Sequence, residues 1–349
     1  MHNTKRLHYL DTWRLIAVLL VIFHHIGNYS ELGRWINPEL ALHLPRLGKF
    51  GVLIFFCISG FVICKGLINE QSLSKVSMTG FYLRRGLRII PPLFLYLAVV
   101  AILSILSVIQ VSFGQLVRSA MFVCNFHQLG SCSWFGGHTW SLAFEEQFYL
   151  IFPVFFTIFY LTKSPRLLLY TLSGFTLCSL VFYITDWPTI SDYLTTFSYM
   201  LAGCACALYW SRLQTFIRNL PLIIWVLSVI VMFTLVGFFP LSKRYETIMY
   251  ITIMPPLICT VVLGTPVSNH FIRYFFENRF FSYLGKISYV IYLWQQLATA
   301  NYPVLSPWWT LIFTTAVFPF AYLSYEYLER PLIQFGARRT IQIHRRRPP

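Results

Sequence analysis

Apolar stretches of about 20 residues recur from one end of this chain to the other, separated by short polar and basic segments. A run of that length crosses the hydrocarbon core of a bilayer as one helix. The pattern therefore predicts an all-α polytopic membrane protein, a bundle of about ten transmembrane helices. The spans are expected near residues 10–29, 48–68, 88–111, 140–162, 166–185, 192–210, 220–240, 246–264, 281–300 and 308–329. An even number leaves both termini on one side. Lys5 and Arg6, with Arg338, Arg339, Arg345, Arg346 and Arg347, mark that side as cytoplasmic. The loops sort the same way. Lys65, Lys75, Arg84, Arg85, Lys163, Arg166, Arg212, Arg218, Arg273 and Arg279 fall inside; Arg34, Arg46, Lys49, Arg118, Lys243 and Arg244 fall outside. No long linker interrupts the series, so residues 1–335 are expected as one transmembrane domain and 336–349 as a basic cytoplasmic tail.

The first run breaks the simple apolar pattern. It carries Asp11, Arg14, His24 and His25 in or near lipid depth, where a charge costs several kcal/mol unless a partner or a cavity receives it. At about 100° per residue, the interval from Arg14 to His25 is close to three whole turns. Both side chains therefore leave one stripe of the helix, about 16 Å apart along its axis. Asp11 lies one turn before Arg14 on roughly the same face. His24 points about 100° away and is expected to pack or support.

Composition narrows the class further. The chain is 57% hydrophobic and 11% charged, with mean hydropathy +0.63, which excludes a soluble domain. Its charge of +15 sits in short loops and at the termini rather than in a basic, aromatic-interleaved module, so nucleic acid is not expected as a partner. No cleavable signal peptide is expected, since the first span lacks a small-residue cleavage site. Cys124 and Cys132 share the longest outer loop, where an oxidising periplasm permits pairing, although spacing does not decide connectivity. The other cysteines lie at membrane depth and read as packing residues. Metal chemistry is not expected: neither an H-x-x-x-H nor a C-x-x-C pair occurs.

Other polar groups fall at spans or span ends. Glu145 and Glu146 lie one to two turns after Trp140 in the fourth span, in the outer half shared with His25. Adjacent residues do not share a helix face, so one of the two is expected to orient the imidazole and fix its tautomer. The bland alternative for these carboxylates is a packing salt bridge, with Arg46 or Lys49 as partners. Arg84, Arg85 and Arg88 precede the third span. Arg85 and Arg88 form a fork suited to phosphate oxygens, placed before Pro91–Pro92, where a helix break would open a pocket. Positive-inside anchoring against membrane lipid is the bland alternative. Glu326 and Glu329, near the inner end of the last span, are expected to neutralise and position these cations. Ser59 and Gly60 sit in mid-membrane, the glycine at a close helix approach.

Taken in order, the motifs resemble those of the acyltransferase-3 family, the membrane O-acyltransferases of bacterial surface glycans. The resemblance runs from Tyr9 to Pro331. It includes R-x₁₀-H as Arg14 to His25, G-V-x-x-F-F-x-x-S-G-F as Gly51 to Phe61, and F-Y-x-R-R-x-x-R-I-x-P as Phe81 to Pro91. It continues with W-S-L-x-x-E-E-Q-F-Y from Trp140 and Ser141 to Tyr149, L-G-x-I-S-Y-x-x-Y-L-W as Leu284 to Trp294, and S-Y-x-x-x-E-x-P as Ser324 to Pro331. Two departures stand out. Asp11-Thr12-Trp13-Arg14 replaces the common Asp-Gly-Leu-Arg, and Leu293-Trp294-Gln295 replaces Leu-Trp-His, which bears on acceptor choice. Some relatives carry a fused periplasmic esterase-like domain; a second transfer step is expected here to need another protein.

The resemblance implies a multi-pass protein of the bacterial inner membrane. It implies transfer of an acyl group, most often acetyl, from acetyl-CoA or another acyl-CoA to a sugar hydroxyl. The acceptor class is a lipid-linked or nascent surface glycan such as O-antigen of lipopolysaccharide, capsule or exopolysaccharide. Arg85 and Arg88 would clamp the nucleotide end of CoA. His25 would act as general base or first acyl acceptor, with Glu146 or Glu145 orienting it. Two other classes stand beside this one. A transporter would use the Arg14–His25 stripe as a permeation or proton path, although no inverted repeat is visible. A scaffold subunit would leave the buried stripe without a role.

Overall fold

The computed structural model describes residues 7–29, 38–72, 77–161, 166–237, 242–300 and 307–345. Lys5, Arg6, Arg34, Lys75, Lys163, Arg346 and Arg347, on which the expected topology partly rests, lie outside these residues. The described chain is helical, with no strand. The helices are α1 (His8–Tyr29), α2 (Pro38–Ser72), α3 (Met78–Ile105), α4 (Phe113–Ala120), α5 (Trp134–Gly137), α6 (Thr139–Leu161) and α7 (Arg166–Ile184). They continue as α8 (Pro188–Leu208), α9 (Trp210–Asn219), α10 (Leu222–Gly237), α11 (Lys243–Thr252), α12 (Met254–Leu263), α13 (His270–Phe276) and α14 (Arg279–Lys286). The last are α15 (Ser288–Ala298), α16 (Pro307–Ser324), a π-helical turn at Tyr325–Glu329, and α17 (Arg330–Arg345).

Five of the described helices are long and apolar enough to cross a bilayer, or up to seven if each bent pair counts as one span, against the ten expected. The breaks have local causes. The span expected over 246–264 bends by 51° between α11 and α12, where Pro255 and Pro256 have no N–H to give the preceding turn. The span expected over 281–300 is two helices, α14 and α15, parted at Ile287. The third span differs the other way. Its helix begins at Met78, capped by the Ser77 hydroxyl accepting from the Gly80 N–H at 3.2 Å, and runs through Pro91 and Pro92 without a break.

The described residues form two compact units whose ranges interleave along the chain. The first comprises Met1–His24, Glu39–Ile68 and Phe155–Ser288. Trp13 is buried in it, its indole N–H donating to Thr265 Oγ1 at 2.8 Å and its ring 5.3 Å from that of Phe276. The Thr12 hydroxyl donates to the Phe276 carbonyl at 2.7 Å. Helices α2 and α8 approach through glycines. A Cβ on Gly60 would strike the Met200 backbone, and one on Gly203 the Cys57 backbone. This small-residue seam lets two membrane helices touch backbone to backbone, the source of dispersion energy where lipid supplies no hydrophobic driving force. Cys57, Cys64, Cys204 and Cys259 are buried in the same unit.

The second unit comprises His25–Pro38, Asn69–Val154 and Tyr289–Pro349. Helix α17 packs along α3, with Thr340 Oγ1 donating to the Gly80 carbonyl at 3.4 Å. Residues from 336 onward, expected as a separate tail, continue that helix as far as Arg345. Cys124 and Cys132 form a disulfide with Cα atoms 5.8 Å apart, closing the loop that also holds the buried Asn125. On α3 the large apolar side chains Phe94, Ile102 and Ile105 are exposed, as are Leu177, Val181 and Ile184 on α7 in the first unit. Apolar faces of this extent suit lipid rather than water.

Gly60→Leu is expected to lower stability by about 1–3 kcal/mol, because the side chain meets backbone that cannot step aside. Gly66, whose Cβ position meets nothing within 4 Å, supplies the control. Thermal unfolding in detergent should show a lower midpoint for Gly60→Leu and an unchanged or higher one for Gly66→Ala.

Candidate functional site: a polar seam in the second unit

His25 is buried, and its Nδ1 lies 2.7 Å from the Gln295 side-chain oxygen on α15. Trp134, on α5, meets the imidazole edge-on with ring centroids 5.2 Å apart. The indole N–H of Trp134 donates to the Gln296 backbone carbonyl at 3.3 Å, and its own carbonyl accepts from the Gln296 side-chain amide at 2.8 Å. The ring that walls His25 is thereby tied to α15 at two points. The sequence points to Glu145 or Glu146 as the partner that orients the imidazole; in the structure the Gln295 oxygen accepts from Nδ1.

Beyond Gln295 the same helix carries the seam onward. Tyr292 and Ser141 share a hydrogen bond of 2.7 Å between their hydroxyls. Both hydroxyls also lie within hydrogen-bond distance of the His138 carbonyl, 3.1 Å from Tyr292 and 3.2 Å from Ser141, so one donates to that carbonyl while the other donates to its neighbour. The His138 ring is buried against Tyr96 and Tyr292, with centroids 5.3 and 5.5 Å away. Neither of its ring nitrogens has a hydrogen-bond partner among the described residues, and it lies within electrostatic reach of His25. A buried imidazole left without partners is an uncommon expense in a folded protein. His138 was not singled out from the sequence, although it stands immediately before the Thr139-Trp140-Ser141 stretch that opens α6.

The other end of the seam holds the charges. Tyr289 donates its hydroxyl to the Ile89 carbonyl at 2.8 Å and sits within electrostatic reach of Glu145, Glu146, Glu329 and Arg88. Arg85 lies over the Tyr149 ring at 5.0 Å and within reach of Glu146. Arg88 lies within electrostatic reach of Glu329, in the π-helical turn, a device that widens a helix by one residue and recurs at functional sites. One buried oxygen of Glu146 and one of Glu329 have no hydrogen-bond partner among the described residues. The expected arginine cluster divides: Arg84 is held by Glu70, whereas Arg85 and Arg88 form no ion pair among the described residues. Glu326 pairs with Arg330. From Arg85 to Tyr96, α3 rises about 16 Å, the length over which the seam passes from guanidinium groups to imidazoles.

Arg14 and Asp11 belong to the first unit, joined by an ion pair of 3.0 Å on one turn of α1. His24, also in the first unit, packs its ring on Gly48. Ser59 lies on α2 in that unit. Trp140 is on α6, its ring edge-on to Phe144 at 6.0 Å.

Apolar helices long enough to cross a bilayer and, within the second unit, a buried seam of arginine, carboxylate, tyrosine and histidine define a helical membrane protein equipped for chemistry. The chain belongs to the acyltransferase-3 family, whose sequence model, described as an acyltransferase domain, matches residues 7–326. It is 28% identical to the peptidoglycan O-acetyltransferase OatA of Listeria monocytogenes, over 96% of this chain and 57% of that protein. It is 29% identical to the putative peptidoglycan O-acetyltransferase YrhL of Bacillus subtilis, over 99% of this chain and 58% of that protein. With the O-acetyltransferase OatA of Staphylococcus aureus it shares 29% identity over 60% of this chain and 36% of the relative. The chain thus spans little more than half the length of the first two relatives. No solved structure matches it.

Tyr292→Phe removes the phenol from this buried cluster and leaves Ser141 Oγ with the His138 carbonyl as its partner. A stability loss of about 1–3 kcal/mol is expected, read as a lower unfolding midpoint in detergent.

Proposed function

We propose that this chain is a membrane O-acyltransferase that moves an acetyl group from acetyl-CoA to a sugar hydroxyl of a bacterial cell-envelope glycan. The observation that carries the reading is the seam itself. It joins two arginines outside any described ion pair to a buried, hydrogen-bonded histidine within one compact unit. In this reading the chain crosses the inner membrane ten times, with both termini and the arginine end in the cytoplasm. Arg85 and Arg88 take the phosphates of CoA, because guanidinium forks match phosphate oxygens. The pantetheine arm follows the seam and presents the thioester near His25.

His25 Nε2 then accepts the proton of the acceptor hydroxyl as the sugar oxygen attacks the acyl carbon. The new ester bond forms as the carbon–sulfur bond breaks. The CoA thiolate leaves and takes a proton to become the thiol. Glu145, Glu146 and Glu329 balance the charge of the arginines when no donor is bound. The names of the relatives make peptidoglycan the first acceptor to test, ahead of lipopolysaccharide O-antigen, capsule or exopolysaccharide. The Arg14–Asp11 pair is assigned a supporting role on the same helix as His25. Family membership favours this chemistry over a transporter.

Purified protein in nanodiscs, mixed with acetyl-CoA and a total glycolipid and muropeptide extract, is expected to release free CoA thiol and to yield acetyl esters by mass spectrometry. His25→Ala should lower the rate by about 10²-fold or more with the protein still monodisperse. A rate near that of the wild type would remove the base assignment. Arg85→Ala and Arg88→Ala should each raise the KM for acetyl-CoA by the equivalent of about 1.5–3 kcal/mol. Arg84→Ala, already committed to Glu70, should change it much less.

A further inference from the structure

We propose that Gln295 and Gln296 form an amide relay that sets the tautomer of His25, holding the proton on Nδ1 and the lone pair on Nε2. The proposal rests on the acyl-transfer reading for its consequence, but its premise is geometry. The relay begins at the Trp134 backbone carbonyl, a group that can only accept a hydrogen bond. Gln296 lies 2.8 Å from it, so the Gln296 atom facing Trp134 must be the amide nitrogen. That fixes the direction of the Gln296 amide and turns its oxygen the other way. The facing Gln295 atom, 3.2 Å from that oxygen, must therefore be a nitrogen too. Gln295 is then left with its oxygen toward His25, 2.7 Å from Nδ1. An amide oxygen has no proton to give, so Nδ1 must carry one. A neutral imidazole holds a single ring proton, so Nε2 is left as the acceptor.

Side-chain amide orientations are ordinarily chosen to suit the network around them, and a free chain of amides could run in either direction. This one is anchored at a backbone carbonyl and cannot reverse without setting two acceptors against each other. The setting is buried and tightly held. Gln295 and Gln296 are at 0% and 2% exposure, and the Thr299 hydroxyl and Trp134 indole bind their backbone carbonyls. A reversed amide would leave a buried polar group unsatisfied, so the surroundings enforce one direction. Gln295 is thus a positioning residue: it acts on the acceptor hydroxyl only through His25. Unlike a carboxylate in the same place, it fixes the tautomer without adding a charge at membrane depth.

Two measurements test the relay. Neutral histidine tautomers differ in their ¹⁵N shifts, and wild-type protein labelled on histidine should show His25 protonated at Nδ1, assigned by comparison with His25→Gln. A proton on Nε2 in the wild-type protein would overturn the proposal whatever the activity. In the acetyl-CoA assay, Gln295→Met fills the volume but accepts no hydrogen bond. It should lower kcat by roughly 10–100-fold with the KM for acetyl-CoA unchanged. Gln295→Glu keeps an acceptor oxygen toward Nδ1 but sets its second oxygen against that of Gln296, so it should recover part of that loss. A wild-type kcat from Gln295→Met, or an equal loss from both variants, would sink the relay alone. Silence from the wild-type protein would sink the acyl-transfer reading and the catalytic role of the relay with it.

Discussion

A polar group inside a bilayer has no water to fall back on, so a buried one is costly unless another part of the chain matches it. That constraint explains why α3, α5, α6 and α15 meet as they do. Tyr289 finds the Ile89 carbonyl, Tyr292 finds Ser141 and the His138 carbonyl, Gln296 finds Trp134, and Gln295 finds His25. Each bond contributes about 1 kcal/mol net, but leaving one end unmade costs more, so the set specifies a single packing. The groups that lack partners among the described residues gain meaning from this background. The His138 ring, the Trp294 indole N–H and one oxygen each of Glu146 and Glu329 are such groups, set among polar neighbours that are satisfied.

The period of the first span made His25 and Arg14 legible before any coordinates, since two polar residues eleven apart on an apolar helix need an explanation. The Asp11–Arg14 pair was equally local and equally readable, one turn apart and bonded at 3.0 Å. Gln295 was harder. Its partner lies 270 positions away, and a lone glutamine in an apolar span carries no charge to flag it. The one signal was its place after Leu293-Trp294, where the family resemblance expects histidine. His138 had no periodic signal, and the aromatic rings that enclose it come from α3 and α15, far apart in sequence.

Helix limits were legible where composition changed and obscure where it did not. The third span's helix extends to Met78 because Ser77 caps it, although the segment from Gly80 to Arg88 is too basic to look like a span. Conversely, 281–300 reads as one apolar run, but the chain parts at Ile287. Within the first unit, Gly285 there lies so close to the Asp11 carbonyl that a Cβ would collide with it. Hydropathy averages over a window and cannot register a constraint that acts on one backbone atom.

The seam also bears on how a membrane protein divides its labour between stability and chemistry. In the first unit, tight approaches are made by glycines and buried cysteines, residues with little to offer a substrate. In the second, close packing is made by tyrosine hydroxyls, amides and imidazoles, which a well-packed apolar set could replace as a whole at small cost to folding, though not one at a time. Their presence at membrane depth therefore answers to a requirement other than stability. Amides suit that requirement with less charge than acids. A carboxylate beside His25 would also fix the tautomer, but it would add a charge at membrane depth and strengthen the ring's hold on its proton, whereas an amide directs the lone pair without that charge.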